Sequence, residues 1–436
     1  SYIYVGTGTK YINAASGASY GATLSNGDVI GTAFDATNGT LTFYKNGVSQ
    51  GTAYTGITGT YAFVVGSFTT SPTYIVNFGQ RAFAYTAPSG YKALCTANLP
   101  EPTIADGSKY FDTKLWAGDG ASTRTISNYG FSPDFIWIKN RTTSGWQHVL
   151  YDQIRGAGTG SVTKSLRSDS TRAEASGNDT NHGYLSGYTS DGFNLVKGSQ
   201  GGGDYVNHNG WAYVGWAWDA GTSTVTNNDG SIASQVRAQP SAGFSIVSYS
   251  GNSTSGATVG HSLNSKPELI IIKATNTAQG WATYHGSVGA NKYLQLNATG
   301  AAATYSGFMN STEPTTSVFS LGNDNFVNTG SNYIAYCFAP VANYSAMGSY
   351  SGNGSTDGLF VYTGFRPAFI LIKNSTLAGS NWIIIDTSRD TYNESDHLLK
   401  PNSSNAEQVT TANEVDILSN GFKPRGTDGD TNGSGN

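Results

Sequence analysis

The chain has 436 residues, a net charge of −4 and a pI of about 5.8, and only 12% of its residues are charged. These values exclude a basic nucleic-acid footprint, and no apolar run approaches the ~18 residues of a membrane span. Hydrophobic residues make up 38%, enough to bury a core, and 56 glycines with abundant Asn, Ser and Thr favour tightly turned β-structure. We therefore predict an all-β protein of several domains.

Short alternating segments occupy residues 1–95. Strands are predicted at 27–35, 40–45, 61–65 and 74–79. Asn38-Gly39 and Asn46-Gly47 are predicted hairpin turns, because both residue types accept a positive φ. Strands separated by such regular turns are typical of an antiparallel sandwich.

Residues 1–95 resemble the C-terminal half of a SPRY domain. The resemblance is carried by the Gly-Asp-Val-Ile-Gly of 27–31, by the hairpin Leu41 to Gly47 and by the strand Val76 to Gln80. It implies a lectin-like, concanavalin A-like jelly roll that binds a protein partner through its loops and seldom catalyses a reaction. A complete domain of this family has further strands, so we expect the native chain to begin before Ser1.

One strand signal occurs three times after a Pro-rich linker at 96–109. Each copy consists of a proline, one residue, four apolar residues and a lysine, ending at Lys139, Lys273 and Lys373. Proline suits a strand start and the apolar run predicts a strand that is buried on both faces. Tryptophans Trp146, Trp281 and Trp382 follow at matching distances, which indicates true repeats.

The domain prediction follows from these repeats. We assign residues 1–95 to a partial SPRY-like sandwich, 96–109 to the linker, and 110–240, 241–345 and 346–436 to three β-rich repeats. The first two repeats close with an aromatic strand, at 213–218 and 333–338, whereas the third has none. We expect that the native chain continues past Asn436 with such a strand, or that another chain supplies it by β-augmentation.

The repeated part resembles a domain of unknown function found beside SPRY domains in bacteriophage virion proteins, particularly tail-fibre-like proteins. The stretches 130–140 and 364–374 and the turn at 419–422 carry the resemblance. The second repeat departs from the pattern, with Ser265 for Gly and Leu269 for Phe. The resemblance implies a virion context and assigns no catalytic residues.

No residue pattern identifies an enzyme. The six histidines show no zinc spacing, and His182 and His208, in insertions of the first repeat, are interpreted as surface residues. Cys95 and Cys337 are interpreted as free thiols rather than as a disulfide.

Acidic residues also match between repeats. Asp152 and Asp386 follow the repeat tryptophans at similar distances, and Glu174 matches Glu407. We interpret the aspartates as turn-capping residues rather than as a glycosidase pair, although an active site formed between chains stays open.

Asp428, Asp430 and Asn432 match the first half of a calcium loop, D-x-D-x-N-G. A plain turn is the favoured interpretation, because such turns are abundant in this chain. We therefore predict no cofactor and no metal, with calcium at this loop as the alternative.

Aromatic residues are the remaining candidates for binding. Trp216 and Trp218 share one face of the closing strand and are interpreted as core. Tyr184, Tyr188 and Tyr205 lie in the first-repeat insertions, which we predict to be surface loops. They are our predicted glycan-binding residues.

The sequence as a whole favours a non-enzymatic virion structural protein at the particle surface, a tail fibre or spike that supports attachment to a host glycan. The expected partners are other copies of the chain, as a homo-oligomer with a trimer by analogy, and other virion proteins, with no nucleic acid and no membrane insertion. Three alternatives stay open: a capsid or sheath decoration protein that makes lattice contacts, a polysaccharide depolymerase, and a cellular surface filament or adhesin.

Overall fold

The computed structural model divides the chain into two compact units, Ser1–Glu101 and Pro102–Asn436. The structure describes residues 1–13, 16–59, 61, 63–67, 73–95, 98, 102–174, 179–199 and 204–435. Nearly all regular structure in these ranges is β, which confirms the predicted fold class. The predicted linker up to residue 101 lies largely outside the described residues, and a short 3₁₀ turn at Gly107–Lys109 ends it.

The first unit contains two three-stranded antiparallel sheets, β1-β2-β3 and β4-β5-β6. Their strands are β1 (Tyr2–Tyr4), β2 (Thr9–Ile12), β3 (Ala18–Ser19), β4 (Ile30–Asp35), β5 (Thr40–Lys45) and β6 (Val48–Tyr54). Two predicted strands, 61–65 and 74–79, are wrong over their described positions. Val64 and Ile75 are exposed there, so their alternating apolar residues cover no sheet.

The second unit is built from three repeats. The first contains β7 (Phe111–Ala117), β8 (Thr123–Ile126), β9 (Phe135–Asn140), β10 (Val149–Asp152), β11 (Tyr184–Thr189), β12 (Gly192–Val196) and β13 (Ala212–Trp218). They form a four-stranded sheet, β10-β9-β13-β7, and a smaller sheet, β11-β12-β8. The predicted closing strand is β13, and it lies between the proline-initiated strand β9 and the first strand of the repeat, β7.

The second repeat forms an eight-stranded sheet. Its elements are β14 (Thr224–Asn227), β15 (Ser234–Gln239), β16 (Phe244–Ser250), β17 (Thr258–Gly260), β18 (Leu269–Ala274), β19 (Trp281–His285), β20 (Lys292–Gln295), β21 (Ala303–Thr304), the one-turn helix α1 (Ser306–Met309), β22 (Val318–Ser320) and β23 (Asn332–Phe338). The order is β14-β15-β16-β23-β18-β19-β20-β21, with β17-β22 separate. Because β15 pairs with β16, the boundary between these repeats lies before Thr224 rather than at 240.

The third repeat has smaller sheets. Its strands are β24 (Val361–Tyr362), β25 (Phe369–Lys373), β26 (Trp382–Asp386), β27 (His397–Leu398), β28 (Gln408–Val409), β29 (Val415–Leu418) and β30 (Gly421–Pro424). They pair as β25-β26, β27-β28 and β24-β30-β29. Among the described residues, the proline-initiated strand β25 therefore pairs with one strand, whereas β9 and β18 each pair with two.

The three repeats close into a ring through equivalent hydrogen bonds. The indole N–H of Trp281 donates to the carbonyl of Arg167 at 2.7 Å, and that of Trp382 donates to the carbonyl of Gln295 at 2.9 Å. The second repeat thus contacts the first, and the third contacts the second. The remaining contact, from the first repeat to the third, joins His148 Nε2 to the carbonyl of Lys400 at 3.1 Å.

This contact corrects the predicted alignment of Trp146 with the other two tryptophans. Val149 pairs with Ile138, so His148 falls opposite the lysine of its repeat, as Trp281 and Trp382 do. His148 accepts the indole N–H of Trp137 at Nδ1, and burial holds its pKa well below the usual value. The imidazole of His148 is therefore neutral, and its Nε2–H donates across the repeat interface.

A second set of backbone bonds follows the same cyclic order. The amide of Glu174 donates to the carbonyl of Thr275, that of Ala302 to Ser375, and that of Glu407 to Arg141, at distances of 2.7, 2.8 and 3.0 Å. One central core contains buried side chains from all three repeats, including Trp137, Trp216, Phe244, Ile271, Trp281, Tyr336, Trp382 and Ile384. Each repeat also packs its own outer core. The repeats therefore form one ring rather than separate beads.

Candidate functional site

The predicted glycan-binding tyrosines are not exposed loop residues. Tyr184 and Tyr188 lie on β11, and Tyr184 and Tyr205 are only 8% and 7% exposed. The Tyr188 hydroxyl is buried, and burial raises its pKa well above the usual value. The surface-loop prediction is wrong here because β11 pairs with β12 and joins the outer core around Phe193. Glycan binding through these rings stays an untested prediction, but they offer little free surface.

Three rings of the same insertions do join two tryptophans outside them in a partly exposed group, which we call the first-repeat aromatic cluster. It consists of Trp146, His182, Tyr205, His208 and Trp211. Trp146 lies at its centre, with ring centroids 5.2 Å from His182, 5.3 Å from Tyr205 and 5.6 Å from Trp211. The ring of His208 stacks on Trp211 at 4.0 Å. Both tryptophans are half-buried, so each is partly accessible at the surface.

The loop that follows β9 presents Trp146. The Lys139 ammonium donates to the carbonyl of Trp146 at 2.6 Å, and burial lowers the pKa of this lysine to about 8. The equivalent position is Gln279 in the second repeat and Ser380 in the third, counting back from Trp281 and Trp382. Trp146 is therefore a feature of the first repeat alone.

A close backbone approach fixes the other side of the cluster. The amide of Gly118 donates to the carbonyl of Trp211 at 2.7 Å, and a Cβ at Gly118 would lie 1.9 Å from the carbonyl oxygen of His208. The buried side chain of Asn207 accepts the amide of Asp119 at 3.2 Å and donates to its carboxylate at 2.8 Å. These bonds hold the segment before β13 against the turn after β7, which positions Trp211 and His208.

The cluster offers the chemistry of recognition rather than of catalysis. Indole rings supply apolar faces with a polar edge, and such rings are enriched where proteins bind partners. The guanidinium of Arg167 lies 4.9 Å from the ring centre of Tyr205 and adds a positive charge to the cluster. A partly accessible indole ring can stack on the apolar face of a sugar ring, and neighbouring imidazole groups can hydrogen-bond the sugar hydroxyl groups.

The acidic residues matched between repeats stabilise the interfaces of the ring. Asp152 is bonded to Arg155 at 2.5 Å and accepts the hydroxyl of Tyr336, from the second repeat, at 2.8 Å. Asp386 is bonded to Arg389 at 2.5 Å. It also accepts the indole N–H of Trp216, from the first repeat, at 3.0 Å. Both carboxylates are buried, so neither lines a groove.

The two matched glutamates are likewise engaged in ion pairs. Glu407 accepts two hydrogen bonds from Arg141 at 2.9 and 2.7 Å and a third from Arg389 at 3.0 Å. Glu174 pairs with Lys164 at 3.0 Å. These contacts give the glutamates a structural role in the ring.

The calcium-like loop is a hydrogen-bonded turn. The carboxylate of Asp430 accepts two bonds from Asn381, and that of Asp428 accepts the amide of Asp430. The side chain of Asn432 accepts the amide of Asn353 at 3.1 Å and donates to two backbone carbonyls. Asn432 thus takes the place that Asn207 has in the first repeat. Protein donors already bond to these oxygens. Calcium binding at this loop is untested and stays a prediction.

A group that the sequence reading missed lies in the third repeat. Asp390, Asp396 and His397 each place one ligand atom within 4.8 Å of the others, the one such group among the described residues. The imidazole Nδ1 lies 2.5 Å from Asp390 and 3.0 Å from Asp396. The spacing matches no metal motif, and the fold of the β26–β27 segment brings the three together. The backbone amide of His397 donates to the Asp390 carboxylate at 2.9 Å, which holds two members of the group together.

The first unit has a small cavity at its β4–β5 turn. Phe34, Thr37, Asn38 and Ile57 help to line a volume of about 290 Å³. This size lies at the lower end of ligand sites, roughly 300–1,000 Å³.

No helix in the described part of the chain is long and apolar enough to cross a membrane. Both cysteines are free, as predicted.

These features define a class of all-β protein in which three related repeats form a ring with an aromatic cluster on the first. Residues 106–436 match a domain of unknown function, DUF7483, over more than half of the chain, and the protein belongs to that family. Residues 1–81 match the SPRY domain, as their resemblance implies. No curated protein and no solved structure matches the chain.

Proposed function

We propose that this protein is a non-enzymatic structural protein of a bacteriophage virion, a tail fibre or spike that supports attachment to a host-surface glycan. The sequence resemblance to repeated domains of tail-fibre-like proteins supports the virion context. The first-repeat aromatic cluster is the observation that carries the attachment function. Its central indole, Trp146, is replaced by Gln279 and Ser380 at the equivalent positions of the other repeats, so the ring of repeats does not need this indole.

The architecture of the ring suits a structural rather than a catalytic role. Its matched acidic residues are held in ion pairs at or near the repeat interfaces, where they stabilise the assembly. A rigid ring presents the cluster on elements fixed by backbone hydrogen bonds, which lowers the entropic cost of binding. Several copies of the protein on one particle would then add avidity to a weak single site.

Glycan binding by the intact chain tests the proposal. A glycan array would find the sugar, and calorimetry would compare the wild-type protein with Trp146→Ala. Removing the central indole costs an aromatic contact of about 0.5–1.5 kcal/mol, so we expect binding to weaken by up to roughly tenfold. Tyr392→Ala is the matched control, because this tyrosine is 85% exposed and lies in the third repeat. It should bind like the wild type.

Two results would overturn the proposal. One is that no host polysaccharide binds to the folded protein. The other is that Trp146→Ala, with an unchanged melting temperature, binds the glycan as tightly as the wild type does. Release of reducing ends from a bound polysaccharide would instead identify a depolymerase and would contradict the non-enzymatic part.

A further inference from the structure

The interface between the first and third repeats is closed by a residue that can gain a proton. At the other two interfaces the equivalent donors are indole N–H groups, those of Trp281 and Trp382. An indole N–H remains a donor throughout the physiological pH range. His148 takes this position between the first and third repeats, and the ordinary pKa of an imidazole, about 6.5, lies within that range.

The closed interface requires the neutral form of this imidazole. His148 is 0% exposed, its Nδ1 accepts the indole N–H of Trp137 at 2.9 Å, and its Nε2–H donates to the carbonyl of Lys400 at 3.1 Å. A protonated imidazole carries a hydrogen on both nitrogens and accepts no bond. Protonation therefore sets two N–H donors against each other at Trp137, and it buries a positive charge.

The cations around His148 oppose that charge. Burial lowers the pKa of His148 well below its usual value, and Lys139 on β9 and Arg389 of the third repeat lower it further. The third nearby cation, the ammonium of Lys400, lies 3.9 Å from the carboxylate of Asp430. A proton on His148 thus has cations on both sides of the interface.

The acids near this interface are engaged by other cations. Glu407 is bonded to Arg389 at 3.0 Å, and Asp169 interacts with Lys139. Burial raises the pKa of Asp169 to about 7, so mild acid removes its negative charge and leaves Lys139 uncompensated. Acidification therefore makes the surroundings of His148 more positive.

The same interface holds the loop that carries Trp146. This loop joins β9 to β10 and ends at His148. The amide of Gly145 donates to the carbonyl of Ser404, in the third repeat, at 2.9 Å. The ammonium of Lys139 donates to the carbonyl of Trp146 at 2.6 Å and to that of Ser404 at 3.4 Å. The loop is therefore docked on the third repeat.

We propose that this interface is a pH-sensitive switch: in mild acid, protonation of His148 opens the contact between the first and third repeats and releases the loop that carries Trp146. The two interfaces closed by indoles stay closed. The open form binds one proton more than the closed form, so the opening equilibrium shifts by up to roughly tenfold for each pH unit below about 6.5.

The switch also regulates the first-repeat aromatic cluster. Release of the loop removes Trp146 from the centre of the cluster, so recognition by the cluster is lost in mild acid. This step rests on the proposed attachment function, whereas the opening of the interface does not.

Amide hydrogen exchange of the intact chain at about pH 7.5 and about pH 5, corrected for intrinsic exchange rates, tests the opening. Three equivalent backbone amides report on the three interfaces: Glu407 on the first with the third, Glu174 on the first with the second, and Ala302 on the second with the third. We expect the protection of Glu407 to fall roughly tenfold or more at the lower pH and that of the other two to persist. The lower pH lies above the ordinary glutamate pKa of about 4.3, so the ion pairs of Glu407 stay charged.

Two histidine variants assign the effect. His148→Gln cannot titrate but keeps one donor and one acceptor, so it should keep Glu407 protected at both pH values. His261→Gln is the matched control, because His261 is also 0% exposed and lies 3.3 Å from the carbonyl of Thr315 within the second repeat. It should open between the first and third repeats as the wild type does. Both variants keep Asp169, so its titration contributes equally to each.

Binding to the glycan array at the same two pH values tests the effect on the cluster. The wild type should bind several-fold more weakly at about pH 5 than at about pH 7.5, and His148→Gln should bind equally at both. If the array shows no binding at the higher pH, the attachment function is contradicted and exchange alone decides the opening. A wild type that opens in acid but binds the array unchanged would contradict release of the cluster.

Three exchange results would overturn the switch. Glu407 could keep its protection in acid in the wild type. All three reporter amides could lose protection together, which would indicate unfolding of the whole unit. His148→Gln could open as readily as the wild type, which would assign the effect to another group. The first two results compare amides within the wild type, so they decide the matter even if His148→Gln does not fold.

Discussion

The second and third repeats contain the same strand signal but bury it to different extents. The apolar residues of β18 lie between β19 and β23, whereas in the part of the chain that the structure describes β25 has a neighbouring strand on one side only. The apolar run therefore specifies a strand, and the neighbouring strand determines how fully it is buried. The comparison therefore separates two effects. The apolar run of a repeat encodes the strand itself, and the surrounding strands supply its burial.

The largest expected effect concerns the interface where the second repeat departs from the other two. Arg155 and Arg389 are buried beside their aspartates, but the second repeat has His285 and Val288 at these positions. Removing one member of a buried ion pair leaves an uncompensated charge, so Arg155→Val should lower the free energy of unfolding by about 3–5 kcal/mol. Urea denaturation followed by far-UV circular dichroism measures the loss.

The natural sequence of the second repeat supplies the control for this variant. The double substitution Asp152→His with Arg155→Val reproduces its His–Val pair and leaves no buried charge unpaired. It should therefore recover about half or more of the stability that the single variant loses. If the double variant is as unstable as the single one, the ion pair is required in itself, and the substitution seen in the second repeat does not transfer to the first.

A core truncation measures the difference between the two strands directly. Ile272 and Ile372 occupy equivalent positions before the repeat lysine and are 0% and 7% exposed. Ile272→Ala should cost about 2–5 kcal/mol, because the cavity lies between two fixed strands. Ile372→Ala should cost less, because the open side of β25 can relax. Equal losses would show that β25 is packed as tightly as β18 and would contradict an open edge.

The sequence predicts the local structure well and the ring contacts poorly. The proline-initiated strands and the two closing strands lie where their apolar patterns place them, because those patterns encode burial. The alignment of the repeats on their tryptophans gave the wrong register for the first repeat. His148, not Trp146, takes the position of Trp281, and only the pairing of β10 with β9 reveals this. Carbonyl acceptors such as that of Arg167 leave no trace in side-chain patterns.

The candidate site illustrates the same limit. Tyrosines in an insertion suggest a surface, yet Tyr184 is buried because the insertion pairs into the sheet β11-β12-β8. Trp146 and Trp211 are 65 positions apart in the sequence, and the contact between Gly118 and the segment before β13 brings them together. Such clusters depend on backbone approaches that no single stretch of sequence encodes.

The repeat lysines give the smallest expected effect, and it concerns pH. Burial lowers the pKa of Lys139, Lys273 and Lys373 from 10.5 to about 8, although Lys373 is only partly buried. Between these pH values the unfolded chain binds more protons than the folded chain, so stability rises with pH. Each lysine thus penalises the fold below about pH 8, and this penalty is relieved as the pH approaches 10.5.

The expected gain for Lys139 is about 1–2 kcal/mol between pH 8 and 9.5, a window chosen below the titration of unfolded tyrosines. Urea denaturation at several pH values measures it, and Lys139→Met should flatten the rise by that amount. Lys292→Met, at an exposed lysine of β20, should leave the slope unchanged. If Lys139→Met keeps the full slope, Lys139 is charged in the folded state throughout. The hydrogen bond from its ammonium group to the carbonyl of Trp146 would then compensate for its burial, and this charged group would position the loop that carries Trp146.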